Sequence, residues 1–73
     1  MSTSSDCWIE MQLIGKDTLR IELTRCGHLW HGQAARLVSR SMVERSPLAT
    51  AIGGDFESVR YQVISSAQRA LKH

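Results

Sequence analysis

The chain has 73 residues, of which 42% are hydrophobic and 22% are charged, and its formal net charge is +2. A chain of this length has room for one hydrophobic core, and its composition is ordinary for a folded globular domain, which argues against a disordered chain. No apolar run approaches the roughly 18 residues that span a bilayer, so we expect no membrane-spanning segment.

The first six residues are polar and lack the charged and apolar regions of a secretion signal. We therefore predict a disordered N-terminal tail over residues 1–6, a single small α+β domain over residues 7–73, and a cytoplasmic location. The two cysteines, Cys7 and Cys26, are expected on opposite faces of the first hairpin, which argues against a structural disulfide.

The first two strands are predicted from apolar residues that alternate with polar ones, the period of a half-buried strand. The two apolar rows are Ile9, Met11 and Leu13, followed by Leu19, Ile21 and Leu23. A three-residue loop at residues 15–17 would place Leu13 opposite Leu19, so that both rows face the core. This register also places Glu10 opposite Glu22, a mildly unfavourable pair that a two-residue slip would relieve.

The second connection, Gly27 followed by His28, is typical of a two-residue type II′ turn, which has glycine at its first central position. After such a turn, the residues that face the core change from odd-numbered to even-numbered positions. The residues then expected on the core side are Trp30, Gly32, Ala34 and later Val38. The small residues among them leave room for a helix to lie close to the sheet.

Two interpretations of the third segment stay open. Alternation predicts a strand from Leu29 to Val38, whereas apolar residues at helical spacing and an Ala-Ala-Arg-Leu run favour a helix from Gln33 to Arg45. Pro47 stops any such helix, and residues 48–52 could form a short fourth strand at a sheet edge.

The last segment predicts an amphipathic helix. Asp55 is a natural N-cap, Glu57 lies in the first turn, and Arg60 falls at the edge of the apolar stripe. The residues of that stripe are Phe56, Val59, Val63, Ile64, Ala67, Ala70 and Leu71. Because this stripe needs an apolar partner, we expect it to pack on the core side of the sheet.

These elements predict an α+β fold: a three-stranded antiparallel β-meander with the C-terminal helix packed on one face (βββα). The alternative is ββαα, with the segment from Gln33 to Arg45 helical. The strand order and final helix are similar to those of HicB-like antitoxins, a resemblance of fold that carries no functional residues.

Metal binding and catalysis have weak candidates. Cys26, His28 and His31 carry metal-binding groups, but their spacing matches no established zinc module, so we expect no metal and no cofactor. A Cys–His nucleophile pair would also need an orienting group and an oxyanion hole. We therefore expect a protein that is not an enzyme.

Nucleic-acid binding is the alternative function. Five arginines could form a basic stripe that follows a phosphate backbone: Arg20, Arg25, Arg36, Arg40 and Arg45. A sheet followed by a helix also resembles the C-terminal part of double-stranded-RNA-binding domains. However, the lysine-rich helix start of that family is replaced here by Gly54, Asp55, Phe56 and Glu57.

Protein binding is the function we expect. The solvent-facing side of the predicted sheet combines apolar residues with arginine and tryptophan, which are frequent interface anchors. The predicted partner-binding residues are Trp8, Arg20, Leu29, His31 and Leu37. The sequence thus predicts a small non-catalytic protein–protein interaction module, inhibitor- or antitoxin-like, for which a phage-encoded inhibitor such as an anti-CRISPR protein is one setting. Self-association through an exposed edge strand is a second expected mode.

Overall fold

The computed structural model describes residues 6–39, 42–43 and 45–72, which form an antiparallel sheet followed by one helix. The strands are β1 (Cys7–Ile14), β2 (Asp17–Cys26), β3 (Leu29–Ser39), β4 (Met42–Val43) and β5 (Ala49–Gly53), and the helix is α1 (Phe56–Leu71). Neighbouring strands follow the order β1-β2-β3, and both the short β4 and the longer β5 pair with β3. The α+β class and the C-terminal helix are confirmed, but the sheet has more than the three strands expected.

The third segment is a strand, so the helical alternative from Gln33 to Arg45 is wrong. β3 runs to Ser39 between β2 on one side and β4 and β5 on the other, and these neighbours pair with it along most of its length. This pairing outweighs the local helix propensity of the Ala-Ala-Arg-Leu run. The fourth strand expected within residues 48–52 is present as β5. Arg40, Ser41 and Glu44 lie outside the described residues, as do residues 1–5, on which the predicted N-terminal tail (residues 1–6) falls.

The first hairpin has a two-residue turn, and the three-residue loop is wrong. Ile14 pairs with Asp17, so only Gly15 and Lys16 lie in the turn. Gly15 has a φ of +63°, and no non-glycine residue described has a positive φ. This combination defines a type II′ turn, whose twist suits the flanking strands.

The shorter turn shifts the register of β1 by one residue and so exchanges its two faces. Glu10 lies opposite Ile21, not opposite Glu22. The row of Ile9, Met11 and Leu13 therefore faces away from the helix, where these residues are 48%, 54% and 77% exposed. The expectation that this row lies in the core is wrong.

The cysteines share one face for the same reason. Cys7 pairs with Thr24, and Cys26 is the next β2 residue on that face. The expected placement on opposite faces is wrong, although both thiols are free and exposed.

The second turn is as predicted. Cys26 pairs with Leu29, and Gly27 has a φ of +66°, the left-handed conformation that a type II′ turn requires at its first central residue. The even-numbered residues in this part of β3 therefore face the helix, as predicted. Trp30, Gly32 and Ala34 lie on the helix side, in register with β2 and β5.

The core lies between α1 and the β2–β3–β5 part of the sheet. Its buried residues are Leu19, Ile21, Leu23, Ala34, Ala49, Val59, Val63 and Ala67. The helix lies close to the sheet at Gly32, where a Cβ would lie 2.8 Å from Val63 Cγ2 and 2.9 Å from Val59 Cγ1. Val38 was expected in this core but is 62% exposed, because it lies at a ladder irregularity beyond the part of β3 that pairs with β5.

The helix begins as predicted. Asp55 has an extended backbone and accepts a hydrogen bond from the Ser58 N–H at 2.9 Å, which makes it the N-cap. Glu57 lies in the first turn and Arg69 in the last, where each charge suits the helix dipole. The described part of the chain contains no helix long and apolar enough to cross a membrane.

The helix side of β1 is polar and is tied to α1 through Glu10. Arg60 donates two hydrogen bonds to the Glu10 carboxylate, from Nε and Nη2, both at 2.8 Å. Trp8 Nε1 donates a third at 2.6 Å and Gln12 Nε2 a fourth at 2.7 Å. The carboxylate is thus fully paired opposite Ile21, the position where the predicted register places Met11.

Candidate protein-binding face

The sheet face opposite α1, here called the outer face, is not covered by any described element. Its residues follow from the register of four strands. β1 contributes Cys7, Ile9, Met11 and Leu13; β2 contributes Thr18, Arg20, Glu22, Thr24 and Cys26; β3 contributes Leu29, His31, Gln33, Ala35 and Leu37; β5 contributes Thr50 and Ile52.

Exposed aliphatic side chains form two margins of the outer face. One margin is the β1 row of Ile9, Met11 and Leu13. The other consists of Leu29, which is 44% exposed, and Ile52, which is 53% exposed. Neighbouring strands lie about 4.8 Å apart, so β1 and β5 are separated by about 14 Å across the sheet.

Between the margins the outer face is mainly polar, with Ala35 and Leu37 as its apolar residues, and it carries one paired set of charges. Arg20 Nη1 lies 3.3 Å from Glu22 Oε1, and Gln33 Nε2 lies 3.5 Å from the same oxygen. Next to this pair is a shallow groove of about 420 Å³. Its lining residues are Glu22, Thr24, His31, Gly32, Gln33, Thr50, Ala51 and Ile52.

Four of the five predicted partner-binding residues lie on the outer face. Arg20, Leu29, His31 and Leu37 have outer positions in the register, and His31 lines the groove. Trp8 does not, because the shift of β1 turns it to the helix side. There its ring meets Phe56 edge-on at a centroid distance of 5.7 Å.

The apolar margins themselves are not predicted by the sequence pattern. The alternation predicts that Ile9, Met11 and Leu13 lie in the core, and it indicates no binding role for Ile52. The signal that could have found the first three is the Gly15–Lys16 dipeptide, since glycine at the first central position allows a two-residue type II′ turn.

The structure does not gather the predicted arginines into one stripe. Arg20 is on the outer face, whereas Arg25 and Arg36 pair with Trp30 and Leu19 and so lie on the helix side.

These three arginines also have carboxylate neighbours. Arg20 lies 3.3 Å from Glu22, Arg25 lies 3.7 Å from Asp6, and Arg36 lies 4.0 Å from Asp17. Arg45 is exposed, and Arg40 lies outside the described residues.

The weak metal candidates are spread over the end of the second hairpin. Cys26 and His31 are diagonal neighbours on the outer face, and His28 lies in the turn. Over residues 6–39, 42–43 and 45–72, no group of three or more His, Cys, Asp or Glu side chains is placed to hold a metal ion.

Among the described residues, the acid with a strongly lowered pKa is Glu10, which lies on the helix side and away from the outer face. The hydrogen bonds from Arg60 lower the pKa of Glu10 from 4.5 to about 2, against a smaller opposing effect of burial. The same pair raises the pKa of Arg60. The arrangement is that of a bidentate arginine–carboxylate pair, which fixes geometry as well as charge.

Comparison with protein-family models, with curated proteins and with solved structures found no match to this chain.

Proposed function

We propose that this protein is a small non-catalytic interaction module that acts by binding a partner protein with its outer face. The observation that carries the proposal is the arrangement of two exposed aliphatic margins around a polar strip and groove. Contiguous exposed apolar side chains beside polar groups are typical of interaction surfaces.

The energetic argument concerns the aliphatic margins. Ile9, Met11, Leu29 and Ile52 are each about half exposed in the free chain. Removing the remaining area from water is favourable by roughly 1 kcal/mol for each side chain. A partner that covers both margins at once would therefore gain several kcal/mol before the costs of association.

The charge of the outer face defines the chemistry of the partner. Arg20 and Glu22 neutralise each other, so the face has no net formal charge from its arginine and carboxylate groups. We expect a partner surface that is apolar where it meets the margins. It should offer hydrogen-bonding groups to Thr24, His31 and Thr50 around the groove.

The same charges favour a protein over a nucleic acid as partner. A phosphate backbone requires several basic groups on one surface. Here the described arginines are divided between two faces, and Arg20, Arg25 and Arg36 lie within 4.0 Å of carboxylates. A protein that covers a surface of its partner in this way can inhibit that partner, which agrees with an inhibitor- or antitoxin-like role.

The test is affinity capture from the native host with matched baits. Ile52→Lys and Leu29→Lys each place a charge in the margin farthest from β1, and Tyr61→Lys is the control because Tyr61 is 71% exposed on α1. We expect one protein to be retained by wild type and by Tyr61→Lys and to be lost with both outer-face variants. That protein, identified by mass and purified, should then show the same order of affinities in calorimetric titrations.

Two outcomes would contradict the proposal. One is a captured protein that binds all four baits equally, which would place the interaction elsewhere on the molecule. The other is nuclease-sensitive capture that weakens steeply with salt, which would favour the nucleic-acid alternative.

A further inference from the structure

The free edge of β1 presents unused backbone hydrogen-bonding groups. The Arg25 N–H donates to the Asp6 carbonyl at 2.8 Å, so Asp6 and Arg25 form a hydrogen-bonded pair in the antiparallel ladder. Such pairs alternate along a ladder. The β1 residues that direct their N–H and C=O groups toward β2 are Trp8, Glu10, Gln12 and Ile14, and those that direct them outward are Cys7, Ile9, Met11 and Leu13.

This edge lacks the features that normally prevent strand pairing. β1 has eight residues without proline or lysine, and its only charged residue is Glu10. Glu10 is on the helix side and is bound by Arg60. Among the described residues, none pairs with β1 on the side away from β2. Long, uncharged edges of this kind pair readily with another strand.

We propose that a second copy of this chain pairs its β1 antiparallel with this edge, about a twofold axis at Met11. A twofold axis perpendicular to a sheet keeps each face on its own side, so outer residues must pair with outer residues. With the axis at Met11, Ile9 lies opposite Leu13 of the partner subunit. The outward backbone groups of these residues then meet those of the second copy.

The helix-side pairs favour the same register. Trp8 lies opposite Ile14 of the partner subunit, an apolar pair, and Glu10 lies opposite Gln12 of the partner subunit, so that no two like charges face each other. An axis at Glu10 would instead place two carboxylates opposite each other, about 4.5 Å apart between Cα atoms. An axis at Gln12 would bring Trp8 opposite Lys16, beyond the end of the strand.

The pairing joins two sheets into one, with both helices on one side and both outer faces on the other. The two β1 margins become neighbours across the axis. This inference does not depend on the proposed binding of another protein, since Leu29→Lys and Ile52→Lys test the outer face in the margin farthest from β1.

The register is tested by disulfide trapping in a Cys7→Ala/Cys26→Ala background. Residues in a hydrogen-bonded antiparallel pair have Cα atoms about 5.5 Å apart, within disulfide range. Met11→Cys should therefore form a covalent dimer under mild oxidation. Leu13→Cys is the control, because the two Leu13 positions are about 13 Å apart along the strands.

A mixture of Ile9→Cys and Leu13→Cys chains should crosslink as the mixed dimer. Equal crosslinking by Met11→Cys and Leu13→Cys, or none by Met11→Cys, would overturn the register.

The association itself is tested by sedimentation of the full chain over a wide range of concentrations. Wild type should sediment at twice its 8.2 kDa mass. Met11→Pro removes an N–H that points away from β2, so the β1–β2 hairpin can accommodate proline at this edge position. Met11→Lys places two like charges together at the axis and should weaken the dimer by at least about tenfold.

Met42→Lys is the control, since Met42 is exposed and lies on β4, which pairs with β3 and not with β1. It should sediment as wild type does. A wild-type chain that stays at 8.2 kDa up to millimolar concentration would refute the dimer, as would a dimer that Met11→Pro and Met11→Lys leave intact.

Discussion

Among single residues, Glu10 contributes most to the difference between the expected and the observed first strand. Its carboxylate accepts hydrogen bonds from Arg60, Trp8 and Gln12 on the helix side of the sheet. A carboxylate in such a position is stable only when it is paired, because burial alone would favour its neutral form. The pair therefore fixes which face of β1 is turned toward α1.

This pairing predicts a dependence of stability on pH. Because folding lowers the pKa of Glu10 to about 2, its contribution is complete above about pH 4.5 and is lost as pH falls toward 2. We expect Glu10→Gln to lower the free energy of unfolding at pH 7 by about 1–3 kcal/mol and to flatten its fall below pH 5. Chemical denaturation at one protein concentration and several pH values measures both effects.

The control for this prediction is Glu57→Gln, which removes an exposed carboxylate from the first turn of α1. It should change the free energy of unfolding at pH 7 by about 0.5 kcal/mol or less and retain the acid dependence of wild type. Equal losses in the two variants would mean that the bond between Glu10 and Arg60 does not stabilise the fold.

Gly32 sets the distance between the helix and the sheet. A Cβ at this position would lie under 3.0 Å from side-chain carbons of both Val59 and Val63. We expect Gly32→Ala to lower the free energy of unfolding by about 1–3 kcal/mol, because α1 would have to move away. At Gly54 the nearest atom would be 3.7 Å away, so Gly54→Ala is the matched control in the same denaturation experiment.

A Gly32→Ala variant as stable as Gly54→Ala would show that the helix can shift without loss of packing.

For whole elements, the turn between β1 and β2 determines which face of the sheet the alternating apolar residues of β1 occupy. The alternation correctly predicts two strands, because a period of two is a property of each strand by itself. It does not determine which face of one strand lies beside which face of the next. That relation depends on the loop length, and here Gly15 and Lys16 close the hairpin with one residue fewer than expected.

The turn can be tested by its backbone requirement. Gly15 has a φ of +63°, and a Cβ there would meet nothing within 4 Å, so substitution costs conformational energy only. We expect Gly15→Ala to lower the free energy of unfolding by about 1–2 kcal/mol, and Lys16→Ala by less than about 0.5 kcal/mol. D-alanine at position 15, introduced by chemical synthesis, should restore the stability of Gly15→Ala.

If L- and D-alanine at position 15 were equally destabilising, the turn would not be of type II′.

The other elements were predictable to different degrees. The Gly27 turn and the Asp55 N-cap follow from local residue preferences, and both are confirmed. The choice between strand and helix for the third segment was open, because its apolar residues fit both periods. Pairing on both sides of β3 decides for the strand, and such pairing depends on segments distant in the sequence.

In the molecule as a whole, the helix covers the sheet unevenly. α1 packs on β5 and β3 and to a smaller extent on β2, whereas the described contacts between β1 and α1 centre on Glu10 and Trp8. The outer-face positions on β2 and β3 were correctly predicted, because the second turn was. Those on β1 were not, since neither the turn length nor the partner of Arg60 can be derived from strand periodicity.

The two-residue turn also bears on how such a chain can change over generations. The two faces of β1 carry different rows of side chains, one mainly aliphatic and one mainly polar. A single codon inserted between Gly15 and Asp17 would favour turning the aliphatic set toward the helix and the polar set toward solvent. The longer loop would then replace an exposed aliphatic surface with a hydrophilic one. The change would take one mutational step and leave every strand residue unchanged.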